Sequence, residues 1–455
     1  MNRNKLTIDH DFCLRKLGVF PGKTGLGGIG LWYLSPMSPP KTPFKLFARR
    51  SEREAAMPFI MLTTLLDMIA IGLMIPVLPA LVGSFTATQA DQAFWYGMVT
   101  FSFSFANFFA SPVLGALSDR YGRRPVLLLG FCGLALSFFA TALATAVWML
   151  LAVRLVSGAM QSNLSVANAY VADITPPEQR AKRFGLLGAM FGVGFILGPV
   201  IGGLLGAIDL RLPFFAAGSM ALLNLLYGFF VLPESLPPER RHAIHWSAAN
   251  PVASLRGLAQ LKGAGRLVGV IACSGLAQFL LYTSWVLYAT FKFGWGPREN
   301  GWSLAAVGVV SAITQGLLLG RLLKRLSPQR LAVIGMVSST FAYAAWGAAT
   351  QGWMMFAIIF LNFLGSTVSA SIQSIISGAA DARSQGRTLG AVSGLNSLMA
   401  VIAPVLSAPL LVMVSHLPQG DWRIGLPLYC CALLQAAALA LAVSHFRRQR
   451  RERRV

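Results

Sequence analysis

Of the 16 acidic residues in this 455-residue chain, Asp67 alone falls well inside an apolar run, in the stretch LLDMIAIGLM. A carboxylate in such a run costs ~2.5 kcal/mol or more if the run crosses a bilayer, so it must face protein and be either protonated or partnered. Arg154 is the basic residue at comparable depth in another run. Two chemistries follow from the pair. One is a static ion pair that holds two helices together; the other is a carboxyl that takes up and releases a proton, favoured neutral when desolvated and ionised by Arg154 or water. Histidine cannot substitute, because His10, His242, His245 and His445 lie in tails or loops and His416 at the end of a run. The sequence has no His/Glu metal set, no serine beside a plausible base and too few acids for a two-carboxylate site, so neither an enzyme, a bound metal nor a cofactor is expected. The segment GKTGLGG (22–28) lacks the upstream glycine and the strand that a phosphate loop requires.

The elements that hold these residues are membrane helices. Hydrophobic residues make up 55% of the chain and charged residues 12%, against about 25% charged in a soluble domain. Apolar runs long enough to cross a ~30 Å hydrocarbon core occur near 58–83, 95–117, 125–146, 148–171, 184–207 and 212–232, and again near 265–290, 301–323, 329–349, 352–377, 388–413 and 423–445. Each is expected to be a helix, since backbone groups in lipid have no other partner within one segment. Of the 38 Lys and Arg, only Arg211, Lys292, Arg298 and Arg423 lie in loops opposite the termini, and Arg154 lies within a run. Both ends are therefore expected in the cytoplasm, and the net charge of +22 reads as an orientation signal beside anionic lipid rather than a nucleic-acid surface.

The longest gap between runs, 233–264, is rich in proline and charge and divides the chain six and six. A constant shift of 205 residues lays Gly115 on Gly320, Arg120 on Arg325, Gly130 on Gly335, Gly185 on Gly390 and Pro199 on Pro404, which points to a duplication. The expected fold class is an all-α membrane protein, twelve transmembrane helices in two pseudo-symmetric six-helix bundles. Its parts are a basic extension at 1–56, bundles at 57–232 and 265–445, a linker at 233–264 and a basic tail at 446–455.

Two motifs remain. GALSDRYGRRPVLLLG (115–130) places Gly115, Asp119, Arg120, Gly122, Arg123 and Arg124 between the second and third runs. A topogenic hairpin explains all of it except Asp119. In the fifth run, Gly194, Gly198, Gly202 and Gly206 recur every four residues around Pro199 and Gly203, so one helix face carries no side chains and admits another helix closely. Alone, that face is a packing device.

With these motifs the chain resembles the major facilitator superfamily, and within it the drug/proton antiporters of the tetracycline-efflux group. The loop is similar to the superfamily signature and GPVIGG to the antiporter signature; LLDMIAIGLMIPVLPALV (65–82), RLVSGAMQSNLSVANAYVADITPPEQRAKRFG (154–185) and VLPES (231–235) add to the likeness, which runs from about 57 to 445. The resemblance implies a carrier whose two bundles alternately open a central cavity to each side, exporting a small molecule against protons. It assigns Asp119, Arg120, Arg123 and Arg124 to a latch on the cytoplasmic gate, with Asp119 near the start of the eleventh run by Arg387; its counterpart in the second half is Lys324. Candidate cavity residues are the polar ones stranded in runs: Gln161, Asn163 and Asn168, then Gln278, Tyr282, Gln315 and Asn396, with Trp285 and Phe341 as apolar walls. Tetracycline pumps carry acids in helices 3 and 9 where this chain has Ser137 and Ser339, which speaks against a magnesium-chelated substrate. The expected partners are protons, an amphiphilic small molecule and the bilayer, and the expected assembly is a monomer. A nutrient symporter and a non-transporting receptor are the competing readings.

Overall fold

A computed structural model of the chain describes residues 43–161, 163–241, 265–379 and 385–452. Most of the expected N-terminal extension, most of the linker and the last residues of the tail lie outside them. From Arg50 onward the chain forms one compact unit.

Among the described residues, eleven helices are long and apolar enough to cross a membrane. They are Met57–Gly83, Gln89–Tyr121, Arg123–Ala142, Lys182–Ile208, Leu212–Val231, Arg266–Phe293, Pro297–Arg325, Pro328–Ala348, Gly352–Ile376, Gly390–Val414 and Trp422–Gln449. The remaining crossing is built from two shorter helices, Val147–Met160 and Asn163–Ile174. In chain order these are spans 1 to 12, the divided one being span 4. No strand occurs among the described residues, as expected where each segment must satisfy its own backbone.

Span 4 differs from the continuous helix expected at 148–171. The break falls beside Gln161, and the Asn107 amide of span 2 donates to the freed carbonyls of Gly158 at 3.3 Å and Gln161 at 2.6 Å. Interrupted backbone at this depth persists only where protein supplies the missing partner. Span 10 is also irregular, with a 3-10 stretch at Asn362–Thr367, and span 8 contains a π turn at Thr314–Leu318. The shift of 205 in the sequence reappears in the helix starts: Arg123 and Pro328, and Val147 and Gly352, each begin helices 205 residues apart. The chain thus folds as two pseudo-symmetric bundles of six.

Between the bundles, span 2 packs along span 11 and span 5 along span 8; within them, span 3 lies along span 6 and span 9 along span 12. The ends of the spans near Met57, Tyr121 and Gln449 form one face of the molecule, here the near face, and the opposite ends the far face. The buried apolar residues divide accordingly. Toward the far face one cluster takes in both bundles, including Leu73, Tyr96 and Phe214 with Trp285, Tyr288 and Trp346. Toward the near face the clusters are separate, one around Phe59, Leu127 and Tyr170 and another around Val270, Met336 and Ile376.

Close approach follows the same division. A methyl group on Gly203 would lie 2.6 Å from the Pro297 carbonyl oxygen and 3.1 Å from the Gly301 Cα, and one on Gly97 would collide with Ala408. Near-face glycines, Gly115, Gly188, Gly192, Gly316 and Gly320, have nothing within 4 Å of such a methyl. The two bundles meet at the far face and stand apart at the near face. At the far face the loop into span 12 is tied down by Lys292, which donates to the Gly347 carbonyl at 2.6 Å and accepts the Gly420 N–H at its own carbonyl. Side-chain and backbone hydrogen bonds from Arg423 hold the neighbouring Asp421 carboxyl below the usual carboxylate range.

Candidate functional site

The near-face loop between spans 2 and 3 is a compact clamp. Gly122 has φ of 109°, a conformation that glycine adopts without strain, and a side chain there would strike the Glu234 carboxylate. Glu234 caps span 3. Its two oxygens accept the backbone N–H groups of Arg123 at 2.9 Å and Arg124 at 3.2 Å, neutralising the positive helix terminus. Arg123 in turn pairs with Asp119 at 2.5 Å and with Asp173, at the end of span 4, at 3.1 Å. Ser235 donates to the same Asp173 oxygen, Arg124 reaches the Phe229 carbonyl at 2.6 Å, and the Tyr170 hydroxyl donates to the Pro233 carbonyl.

Gly122, Arg123 and Arg124 are thus assembled with the ends of spans 4 and 6. Gly115 faces open space, Arg120 is exposed over the Tyr121 ring, and Asp119 is half exposed with Arg123 as its ion-pair partner. The side chain of Arg387, expected beside Asp119, lies outside the described residues. Glu234 and Asp173 are clamp residues that hydropathy does not single out, since both sit at span ends where a charge needs no explanation. VLPES carries a resemblance in the sequence, and its glutamate is the cap. The first residues of the expected linker therefore belong to the surface of the first bundle.

Asp67 is buried about ten residues above the start of span 1, ~15 Å along the helix. Asn224 of span 6 donates to its Oδ1 at 3.2 Å. Beside it a cavity of about 10 Å3, lined by Ile60, Thr64, Met68, Leu127, Phe131 and Ala167 among others, has the room of a single water. Asp67 therefore looks into the first bundle. Arg154 is also buried, but it sits two turns further toward the far face, where its guanidinium contacts the Met74 sulfur and lies 5.9 Å from the centre of the Phe103 ring. The expected meeting of Asp67 with Arg154 does not occur in this conformation.

The glycine stripe of span 5 lies against span 1. Methyl groups on Gly194, Gly198 and Gly202 would collide with Met68, Gly72 and Leu73, while Gly203, one position round, faces Pro297 and Gly301 of span 8. Pro199 bridges the two contacts: its ring lies by Gly72 and its carbonyl by Gly301. One helix thereby serves the packing of its own bundle and the junction with the other.

The polar candidates are dispersed. Gln278 donates to the Tyr282 hydroxyl at 2.8 Å, one turn along span 7, and both are exposed. Gln315 is exposed on the π turn and Asn168 on span 4; Gln161 is half-buried at the break in that span, and Asn396 approaches Gly275. The Asn163 side chain lies outside the described residues. Trp285 is not a cavity wall but core, its indole donating to the Ser303 hydroxyl at 3.0 Å, whereas Phe341 is 72% exposed. A cavity of about 870 Å3 opens elsewhere, between spans 5, 8 and 10, lined by Val200, Trp302, Trp353, Phe356 and Phe360 with one carboxylate, Glu299. None of the polar candidates lines it. Its walls are apolar residues in apolar runs, which carry no mark in the sequence.

Comparison with known proteins agrees with this architecture. The family profile described as Major Facilitator Superfamily matches residues 60–404 and again 267–455. The class C tetracycline resistance protein of Escherichia coli is 36% identical over 392 residues, covering 86% of this chain and 98% of that protein. The class D tetracycline resistance protein of Salmonella ordonez is 35% identical over 379 residues, 83% of this chain and 95% of the relative. Among solved structures, the human organic anion transporter MFSD10 (TETRAN) superposes with a TM-score of 0.65 at 23% identity, over 86% of this chain and 99% of that one.

Proposed function

The chain belongs to the Major Facilitator Superfamily, and from that premise we propose that it is a proton-coupled antiporter that exports amphiphilic small molecules by alternating access. The observation that carries this reading is the division of the core, shared by the bundles toward the far face and separate toward the near face. Such a molecule is a rocker held at one end. Moving the far-face contacts apart while the near-face glycines close would present the space between the bundles to the other side. The positive-inside bias makes the near face cytoplasmic, so the present conformation opens inward, with both termini in the cytoplasm and the basic tail beside anionic lipid.

Asp67 carries the proton in this reading. Its burial within the first bundle, away from Arg154, separates the proton site from the space between the bundles. Substrate and proton then compete through the tilt of the bundle rather than through direct contact. Asp119, Arg120, Arg123 and Arg124 act at the near-face gate: the clamp built on Glu234 and Asp173 holds the loop rigid, and the exposed Asp119 is available to a partner when the near face closes. Gly194, Gly198 and Gly202 keep span 5 fixed to span 1, so that motion at Asp67 reaches the junction at Gly203 and Gly301.

The relatives named for tetracycline resistance make antibiotics of that size and amphiphilic character the first substrates to try. Ser137, whose hydroxyl is spent on the Leu134 carbonyl of its own helix, and buried Ser339 offer no charge to a magnesium chelate. The substrate is accordingly a compound that travels without a metal. The aromatic cavity between spans 5, 8 and 10 and the Gln278–Tyr282 pair suit an apolar body with few polar groups. The deciding experiment is expression in a host stripped of its own efflux pumps, followed by a screen of tetracyclines, dyes, fluoroquinolones and chloramphenicol-type compounds. Resistance that a protonophore abolishes supports the proposal; resistance to none of them, with substrate uptake in its place, refutes export.

A further inference from the structure

The only asparagine of span 6, Asn224, stands in a largely apolar helix and is fully buried. Its amide nitrogen has two hydrogens and two acceptors: the Thr63 carbonyl at 3.3 Å and the Asp67 Oδ1 at 3.2 Å. That pair settles which end of the amide faces span 1, because the oxygen in that place would meet two acceptors. Its own Oδ1 is buried without a protein partner. So oriented, the amide presents its donors to span 1 and one of them to the Asp67 carboxyl.

We infer that Asn224 is a positioning residue for the proton site, holding Asp67 in its ionised form in the near-open conformation and loosening that hold when span 1 tilts against span 6. The inference rests on the reading of Asp67 as the coupling carboxyl. A hydrogen bond donated to a carboxylate is stronger than one donated to the neutral acid, so the donor favours release of the proton. The proton leaves the Asp67 carboxyl for water at the near face, past the small cavity that Ile60, Thr63 and Thr64 line, and the electron pair stays on the oxygen that faces Asn224. Among the described residues no other titratable side chain lines that cavity: span 1 offers Thr63 and Thr64, span 3 Leu127 and Phe131, span 4 Ala167. Span 6 faces the carboxyl with Asn224, and Arg154 of span 4 is engaged at Met74, two turns further along span 1. The coupling machinery thus extends to span 6.

The test is the pH dependence of proton-coupled transport in liposomes, together with an infrared titration of the protonated carboxyl band that Asp67→Asn removes. Asn224→Ala and Asn224→Leu are expected to move the midpoint to higher pH by about one unit, the size of one charge-assisted hydrogen bond. Asn224→Ser, which keeps a short donor, should move it less. Asn224→Asp keeps the shape of the side chain, guards against loss of folding in the others, and should also move the midpoint upward by setting a second acid beside the first. If Asp67→Asn abolishes coupling while the folded Asn224 variants keep the parental midpoint, Asn224 is structural and this inference falls alone. If Asp67→Asn leaves coupling intact, the assignment of Asp67 falls and the role of Asn224 with it.

Discussion

Asp67 and Glu234 are both carboxylates, and their surroundings give them opposite tasks. Asp67 lies buried in an apolar helix, where the Asn224 amide is one of the groups that meet it, and it is placed to respond to small changes in contact. Glu234 caps a helix with two backbone N–H groups and accepts a third from Leu236 at 3.0 Å, so its task is mechanical. Asp67→Asn is expected to lose accumulation driven by a proton gradient while still binding substrate, measured as protonophore-sensitive efflux against equilibrium binding. Glu234→Ala should destabilise the protein by about 1–2 kcal/mol, the usual loss of a good helix cap, with Glu234→Gln between the two. Thermal unfolding in detergent reads this difference, and the order of the three variants matters more than the absolute values. Asp67 could be found in the sequence because a lone acid in an apolar run is costly and therefore informative. Asn224 could not, since an amide in such a run more often makes an ordinary helix-to-helix hydrogen bond, and what it bonds to depends on the rotation of two helices.

At the scale of elements, the spans are where sequence reading succeeds and their interruptions are where it stops. Hydropathy averaged over a run sees span 4 as continuous, and the polar residues near its middle read as cavity lining. In the structure Gln161 marks a break that Asn107 stabilises from the neighbouring helix. Asn107→Leu leaves the Gly158 and Gln161 carbonyls without that donor, at a cost of about 1–3 kcal/mol for each buried group. The expected result is faster amide hydrogen exchange in residues 158–165 with little change in span 3. The glycine stripe is legible by its spacing, yet its partner is not; only packing reveals that span 1 fills it. Gly202→Leu should push span 5 off span 1 and lower the unfolding temperature, whereas Gly192→Leu, whose added side chain meets open space here, should leave it nearly unchanged.

For the whole molecule the relevant quantity is the difference between the two faces. The contact of Gly203 with Pro297 and Gly301 closes the far face, and the open surroundings of Gly188 and Gly192 leave the near face apart. A bulky residue at Gly203 obstructs the first contact directly. Spin labels at Asp209 and Arg298, on the far ends of spans 5 and 8, are expected to show a longer distance in Gly203→Leu than in the parent. Transport should fail because the near-open state can no longer seal. Unchanged distances would mean that this contact does not hold the far face shut.

The number of crossings, their division into two related halves and the place of the lone membrane acid follow from the chain alone, because they depend on where apolar runs begin and end and on which residues repeat at a fixed interval. Which residue Asp67 meets, why Glu234 stands at the end of span 6 and which face is open depend on how each helix is turned about its axis and on which surfaces reach one another. Those are settled by side-chain packing between segments far apart in sequence, where one residue's rotation exchanges Arg154 for Asn224 as the neighbour of a buried carboxylate.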